Sequence, residues 1–245
     1  MAPKPVEGKV ALITGANKGI GLEIARQLGV QGITVLLGVR DENRGREAAE
    51  KLQADRINAR AVQLDVTQQD TIDAAANYIE NEFGKLDILV NNAGIAIDNT
   101  PPSQLGIEIL RRTYDTNVFG VFAVTKAMLP LLRKSDAGRI VNMSSGLGSL
   151  TQNSDPKYEY AQAKYLAYNS SKTALNAMTI QFAHELKDTP IKVNAADPGY
   201  VATDINDYRG TRTVEQGATA PVRLATLPDD GPTGGYFDEN GIVPW

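Results

Sequence analysis

The chain has 245 residues, of which 42% are hydrophobic and 22% charged, a composition typical of an ordinary globular protein and unlike that of a disordered chain. With 25 Lys and Arg against 29 Asp and Glu, the formal net charge is −4 and no basic block is present to bind a phosphate backbone, so we expect no nucleic-acid partner. The chain has no cysteine and one histidine, His184. Disulfides, thiolate zinc sites and histidine-rich metal sites are therefore excluded, and a Ser-His-Asp hydrolase would depend on that single histidine, which we interpret as structural.

The N-terminal segment, Met1–Glu7, has no apolar run after its lysine. No other stretch reaches the roughly 18 apolar residues that a membrane span requires. We therefore expect a cytoplasmic protein that does not bind membranes.

Short apolar runs, many of them rich in β-branched residues, recur along the chain at strand length. Because these runs are nearly continuous, they are typical of central parallel strands that are covered on both faces. They are Val10–Ile13, Thr34–Val39, Ala59–Leu64, Ile88–Val90, Arg139–Met143 and Ile191–Ala195.

Segments of helical period separate the runs, and they include Asn43–Asp55 and Thr71–Phe83. Beyond Pro198 a stretch rich in Gly, Thr and Asp precedes a helix candidate at Val214–Ala225, and the later sequence TGGYF supplies one more strand. This alternation predicts an α/β fold: one Rossmann-type, doubly wound parallel sheet of about seven strands with helices on both faces. We expect residues 1–245 to form a single domain.

A glycine-rich turn follows the first strand, with the spacing G-x-x-x-G-x-G from Gly15 to Gly21. The first gap is one residue wider than in the standard dinucleotide fingerprint. The physical requirement is unchanged, since backbone must approach a pyrophosphate and helix amides must face it. A tight turn with incidental glycines is the alternative.

Two Tyr-Lys pairs have the four-residue spacing that places both side chains on one helix face: Tyr168 with Lys172, and Tyr160 with Lys164. An ammonium near a phenol is expected to depress the pKa of the phenol and make it a usable proton donor and acceptor. The segment after Tyr168 continues into a long helix of small and apolar residues, whereas Tyr160 lies among charged and polar residues. We therefore favour Tyr168.

The order of motifs resembles the short-chain dehydrogenase/reductase family over nearly the whole chain. The motifs are the Thr14 glycine turn, Asn91-Asn-Ala-Gly94, Asn117, Ser145, Tyr168-x-x-x-Lys172 and Pro198-Gly199. Asn17-Lys18-Gly19 and Arg40-Asp41 are similar to the carbonyl-reductase-like branch.

The resemblance implies four catalytic residues: Asn117, Ser145, Tyr168 and Lys172. Ser145 would donate to the substrate carbonyl, and Ser144 is the competing assignment, although its side chain would point away on an alternating strand. Lys172 would bind the nicotinamide ribose, and Asn117 would bend its helix and help to hold a water molecule near the lysine. A local hydrogen bond is the alternative for Asn117.

A dinucleotide cofactor is the second implication. The expected contacts are Gly15, Asn17, Lys18, Gly19, Ile20, Gly21, Arg40, Asp65, Asn91, Ala93, Gly94, Tyr168, Lys172, Pro198, Gly199, Val201 and Thr203. Val39, followed by Arg40, stands where an NAD enzyme usually has a carboxylate, and Lys18 and Arg40 would flank a 2′-phosphate, which favours NADP(H). Asp41 is the residue that opposes this prediction. For Asp65, an ordinary strand-end cap is the alternative to contact with adenine.

Two features depart from the family pattern. Twenty-three positions separate Ser145 from Tyr168, so a short insert is expected around residues 150–165, while a substrate loop is expected around residues 200–213. Carbonyl reductases carry a longer insert that covers a subunit-pairing helix, so the sequence leaves monomer and homo-oligomer both open. Tyr158, Tyr160 and Tyr165 of the insert would line a pocket for an apolar ketone or lie partly buried in a solvated turn.

Asp197 replaces the small residue expected before Pro198. It would tune contacts near the nicotinamide or cap the next turn. The function expected is an NADPH-dependent ketone or aldehyde reductase, reversible as an alcohol dehydrogenase, acting on a small-molecule substrate. An NAD-dependent alcohol or sugar dehydrogenase and a non-enzymatic dinucleotide-binding regulator are the alternatives.

Overall fold

A computed structural model describes residues 8–245, so the expectation for Met1–Glu7 lies outside the described residues. The strands are β1 (Val10–Thr14), β2 (Thr34–Val39), β3 (Ala59–Gln63), β4 (Ile88–Asn91), β5 (Arg139–Met143), β6 (Lys192–Ala196) and β7 (Tyr236–Phe237). The α-helices are α1 (Gly19–Val30), α2 (Glu42–Ala54), α3 (Gln69–Phe83), α4 (Ile107–Tyr114), α5 (Val121–Leu132), α6 (Leu150–Ser154), α7 (Leu166–Glu185) and α8 (Val214–Ala225). The predicted bounds differ from these by at most two residues, except for the last strand, where TGGYF begins three residues before β7.

The seven strands form one sheet in the order β3-β2-β1-β4-β5-β6-β7, and every neighbouring pair is parallel. The predicted doubly wound fold is confirmed. The chain order reverses between β1 and β4, and in such sheets ligands bind at this switch point, beyond the carboxyl ends of the strands.

Successive side chains of each strand point to opposite faces of the sheet. Because these side chains are apolar on both faces, helices cover both. Ile13 lies in a buried cluster with residues of α1, α2 and α8, whereas Leu12 lies in a second cluster with residues of α3, α5 and α7. Both side chains are fully buried. The continuous apolar strands thus fill two cores. None of the helices within residues 8–245 has the length and apolar character needed to cross a membrane.

Candidate active site

The glycine turn closes against the loop that follows β4. Gly15 and Gly19 have φ angles of +66° and +58°, a conformation that side chains with a Cβ rarely adopt. The hydroxyl oxygen of Thr14 accepts hydrogen bonds from the backbone amides of Asn92 and Ala93, each at 3.0 Å. These bonds hold the two loops side by side at the switch point.

The first turn of α1 fits a pyrophosphate. No side chain caps the start of the helix at Lys18, so the first amides are not bound by a capping group. A Cβ on Gly21 would lie 2.7 Å from the carbonyl oxygen of Gly15, which shows how tightly the turn folds over the helix. Backbone amides at a helix N-terminus are a ready site for an anion.

The two predicted cations of the cofactor site have different surroundings. Arg40 is exposed at the end of β2, whereas Lys18 forms an ion pair with Asp204 of the substrate loop. Asp41 accepts hydrogen bonds from the amides of Asn43 and Arg44 and caps α2. Its carboxylate therefore has a structural role.

Sequence analysis missed Arg44 and Lys51, which border a cleft of about 240 Å³ together with Asn17 and Lys18. The clue was available, since both lie on one face of α2, the helix that follows Arg40. The cleft is cationic even though Glu47 also lines it.

Tyr168 lies in the first turn of α7, at the proposed reaction centre. Burial raises the pKa of Tyr168 to about 12, and a hydrogen bond from the Ser145 hydroxyl opposes this rise. The predicted depression of the pKa is wrong for this structure. The ammonium of Lys172 lies 5.6 Å from the ring centroid and donates instead to the carbonyl oxygen of Met143 at 2.7 Å.

Lys172 lies one helical turn beyond Tyr168 and is only 5% exposed. Burial lowers the pKa of Lys172 to about 8. A Cβ on Gly94 would stand 3.4 Å from the lysine nitrogen and 3.4 Å from Oδ1 of Asn117. The glycine therefore leaves room for the lysine between β5 and the loop after β4.

Asn117 lies in a π-helical segment, Asp115–Gly120, between α4 and α5. Its Oδ1 accepts from the amide of Ile95, and its Nδ2 donates to the carbonyl of Ile95 and to Oγ of Ser171. These bonds are not the local ones of the alternative interpretation, since their partners are 22 and 54 positions away, and they tie the loop after β4 to α7. The water molecule expected near Asn117 stays a prediction.

The structure distinguishes the two candidate serines and the two candidate Tyr-Lys pairs. Ser144 donates to Oδ1 of Asn176 at 2.6 Å inside the core, whereas Ser145 stays accessible and accepts from the amide of Leu147. Tyr160 and Lys164 lie before α7, outside any helix, and Lys164 donates to Oδ1 of Asn153 at 2.7 Å. Only the later Tyr-Lys pair shares a helix face.

Comparison with known proteins decides the family. The short chain dehydrogenase model matches residues 9–213. The chain belongs to the short-chain dehydrogenase/reductase family. Short-chain dehydrogenase/reductase 1 of Saponaria officinalis is 39% identical over 292 residues, which cover 97% of this chain and 96% of that protein.

Two carbonyl reductases place the chain in the carbonyl-reductase-like branch. Carbonyl reductase [NADPH] 1 of Mus musculus is 34% identical over 276 residues, covering 96% of this chain and 98% of that protein. The structure of NADPH-bound carbonyl reductase from chicken fatty liver has a TM-score of 0.86 at 28% identity, covering 98% of this chain and 100% of that chain. The protein is thus a member of an oxidoreductase family whose members act on carbonyl and alcohol groups.

Some residues expected at the dinucleotide site are engaged within the fold. Nδ2 of Asn91 donates to Thr125 and Asn142 inside the sheet, so its buried side chain does not reach the carboxyl edge. Oδ1 of Asp65 accepts from the amide and hydroxyl of Thr67, which is the cap given as its alternative.

The segment after β6 returns to the glycine turn. Gly199 has a φ angle of +73°, and Val201 is buried. Thr203 lies against Gly19, where a Cβ would be 3.5 Å from its methyl carbon. Pro198 and Ile20 are half-buried near the same rim. The start of the substrate loop therefore borders the expected pyrophosphate position.

Asp98 is a residue that sequence analysis did not find. Its Oδ2 accepts hydrogen bonds from the amides of Ala167 at 2.8 Å and Tyr168 at 3.3 Å. The carboxylate therefore caps the helix that carries Tyr168 and Lys172, a role favoured by the helix dipole. No local pattern could signal this, because the capping residue is 69 positions away in the sequence.

The insert contributes tyrosines to the site. The ring centroids of Tyr158 and Tyr160 lie 5.7 Å apart, as do those of Tyr160 and Tyr200. Tyr165 is 45% exposed and lies at the start of α7. His184 is exposed in the last turn of α7, away from these groups, in accordance with the structural interpretation.

Proposed function

We propose that the protein is an NADPH-dependent carbonyl reductase that reduces ketones or aldehydes and also runs in reverse as an alcohol dehydrogenase. The observation that carries this proposal is the pairing of the Tyr168 phenol with Lys172 one turn further along α7, whose ammonium lies 5.6 Å from the ring centroid, with Ser145 beside the same phenol. These groups lie at the carboxyl edge of the sheet, next to the glycine turn. Hydroxyl donors that converge there suit an oxygen on which charge develops.

Bound NADP(H) supplies the hydride for this chemistry. The Tyr168 phenol gives its proton to the carbonyl oxygen of the substrate, and the Ser145 hydroxyl donates a hydrogen bond to the same oxygen. Because burial raises the pKa of Tyr168 to about 12, the phenol is protonated at neutral pH and suited to act as the acid in reduction.

Lys172 and Asn117 support the phenol. The lysine ammonium, held by the carbonyl of Met143, would bind ribose hydroxyls and help to resupply the proton. Asn117 positions α7 through Ser171. A water molecule near Asn117 would complete the proton path.

Cationic side chains support the choice of NADP(H). Arg40 directly follows β2, Arg44 and Lys18 line the neighbouring cationic cleft, and a 2′-phosphate favours charge-assisted hydrogen bonds to such groups. Asp41 does not stand free there, since it caps α2. The names of the carbonyl-reductase relatives from mouse and chicken, which specify NADPH, point the same way.

Turnover of aldehydes, ketones and quinones with NADPH and with NADH tests the proposal. We expect reduction with a higher kcat/KM for NADPH than for NADH. Arg40→Leu should lower the kcat/KM for NADPH about tenfold, since a charged hydrogen bond contributes roughly 1.5 kcal/mol or more. The kcat/KM for NADH should be unchanged in this variant.

Arg46→Leu is the matched control for Arg40→Leu, because Arg46 lies within α2 and pairs with Glu42 at 2.9 Å, whereas Arg40 is exposed directly after β2. It should leave the cofactor preference unchanged. A preference for NADH that Arg40→Leu does not alter would overturn the cofactor assignment. A panel in which no carbonyl compound is reduced would overturn the reductase assignment.

A further inference from the structure

Asp197 is a carboxylate at the inner end of the site whose charge is incompletely compensated. Its Oδ1 accepts from the amide of Gly199 at 2.9 Å, and it also accepts from the amide of Gly146. Burial raises the pKa of Asp197, and these two amides oppose the rise. Within residues 8–245 no lysine or arginine forms an ion pair with it.

The cation whose charge acts on Asp197 is Arg212, and it is only partly committed, since its Nε is buried and has no hydrogen-bond partner among the described residues. Arg212 lowers the pKa of Asp197 by its charge, yet its guanidinium donates to both carboxylate oxygens of Glu239, one of them at 2.5 Å. Asp197 is half-buried, and a carboxylate that has lost part of its solvent gains from pairing with a cation, because an uncompensated charge is costly where the dielectric is low. Asp197 therefore has capacity to bind a positive group from outside.

Two further oxygens converge on the same spot, next to Gly146. A Cβ at Gly146 would lie 3.0 Å from Oδ2 of Asp197 and 3.1 Å from Oε1 of Gln152, and the Tyr158 hydroxyl is closer still. Oε1 of Gln152 is buried and has no hydrogen-bond partner in the described part of the chain. Carboxylate and amide oxygens only accept hydrogen bonds, and the Tyr158 hydroxyl has one proton to donate, so the set has capacity for a further donor.

Aromatic rings flank these acceptors. Tyr158 and Tyr160 pack edge to face at 82°, and Tyr160 packs on Tyr200 at 58°. The charge of Asp197 acts on both Tyr158 and Tyr160 and raises the pKa of each. A carboxylate beside aromatic rings is a chemical environment that binds ammonium groups, since ring faces attract cations.

The cluster borders the reacting groups. Gly146 directly follows Ser145, and the charge of Asp197 also raises the pKa of Tyr168. A substrate whose carbonyl lies against Ser145 and Tyr168 would present its neighbouring substituent to Asp197.

We propose that Asp197, Gln152 and the tyrosines of the insert form a subsite for a protonated amine, so that amino ketones are the preferred substrate class. This inference rests on the proposed reductase function for turnover, but not for binding. It departs from the apolar ketone pocket that the insert suggests by sequence. The ammonium would donate to the carboxylate and the unpartnered amide oxygen.

The test compares β-(dimethylamino)propiophenone with its carbon isostere, in which CH replaces the nitrogen. The ratio of kcat/KM values is divided by the ratio of borohydride reduction rates, which removes the intrinsic difference in carbonyl reactivity. We expect a wild-type ratio well above one. Asp197→Asn should lower it roughly tenfold or more, since a partly buried charge pair is lost. Calorimetry measures the binding of both ketones in parallel.

Asp238→Asn is the control, because Asp238 is a nearby carboxylate that holds the amides of Asn240 and Gly241 in a turn. Its ratio should match that of the wild type. A wild-type ratio of one with good turnover of the isostere overturns the subsite and leaves the reductase standing. Equal losses for both ketones in Asp197→Asn also overturn it.

Absent turnover of both ketones would contradict the reductase and leave the subsite to be decided by calorimetry. Tighter binding of the ammonium ketone that Asp197→Asn abolishes would then support the subsite. Equal binding of both ketones would overturn it.

Discussion

The two edges of the sheet differ in how fully the fold satisfies the hydrogen bonds of their buried polar groups. At the amino edge, Asp87 accepts from the amide of Val10, from Ser135 and from Lys85, and all of its oxygens are used. Arg139, 2% exposed at the start of β5, donates from every guanidinium nitrogen, with Leu227 as its main acceptor. Each charge there is satisfied by the fold itself.

At the carboxyl edge the buried groups keep unused capacity. Lys172 has one acceptor within the described residues, the carbonyl of Met143, and burial lowers its pKa. Oδ1 of Asp98 and Oε1 of Gln152 have no partner in the described chain. Unsatisfied buried groups cost stability, so they persist where a ligand uses them. The difference teaches that the amino edge stabilises the fold and the carboxyl edge serves binding and chemistry.

Loss of Lys172 has the largest expected effect among the variants that test this contrast. Lys172→Met should lower kcat/KM for carbonyl reduction roughly a hundredfold, because a positioned acid-base group contributes at least that much. Steady-state kinetics at saturating and limiting NADPH would measure it. A loss below threefold would contradict the role of this edge.

The pH dependence of kcat/KM is a second test of the role of Lys172. Because the pKa of Lys172 is lowered to about 8, its ammonium is present below that pH and lost above it. The kcat/KM for NADPH, which reports the free enzyme, should be level below pH 8 and decline above it. The decline should be absent from the residual activity of Lys172→Met. An unchanged decline in the variant would assign it to another group.

Asp87→Ala should mainly affect stability. Removal of the carboxylate leaves the amide of Val10 and the hydroxyl of Ser135 without their acceptor, which should lower the free energy of unfolding by about 3 kcal/mol. Urea denaturation measures this change, and the kcat of the folded variant should equal that of the wild type. Glu82→Ala, which removes a surface pair with Arg60, should cost under about 1 kcal/mol. A large drop in kcat for Asp87→Ala would contradict the assignment of a purely stabilising role to the amino edge.

Asp98→Ala should give the smallest effect. It removes the acceptor for the amides of Ala167 and Tyr168, and loss of such a cap costs about 1 kcal/mol of unfolding free energy. A loosened first turn of α7 should also lower kcat several-fold. Thermal unfolding and kinetics measure the two effects, and Asp98→Asn, which keeps an acceptor, should recover part of both. Wild-type kcat in Asp98→Ala would show that the cap does not position Tyr168.

Much of the fold and the reaction centre is predictable because the signal is local. Continuous apolar runs such as Thr34–Val39 indicate buried strands, and the spacing of Tyr168 and Lys172 places both on one helix face. Ser145 matches the family pattern, and strand alternation predicts that the side chain of Ser144 points the other way, as its bond to Asn176 inside the core shows.

What escapes prediction depends on distant contacts. The cap from Asp98 to α7 and the ion pair from Lys18 to Asp204 join residues far apart in the chain. The direction of the Tyr168 pKa shift escapes prediction because burial, a property of the whole fold, raises it, and the charges of Asp197 and Asp98 add to the rise. The convergence of Gln152 and Asp197 likewise needs the folded insert.

The most direct measurement is the rate of ketone-dependent NADPH oxidation by Tyr168→Phe beside the wild type, with NADPH binding followed by fluorescence. The account predicts that the rate falls at least a hundredfold, that NADPH binding persists, and that Tyr160→Phe reduces the neutral ketone at a rate far above that of Tyr168→Phe. Undiminished turnover by Tyr168→Phe would contradict the assignment of this phenol as the proton donor.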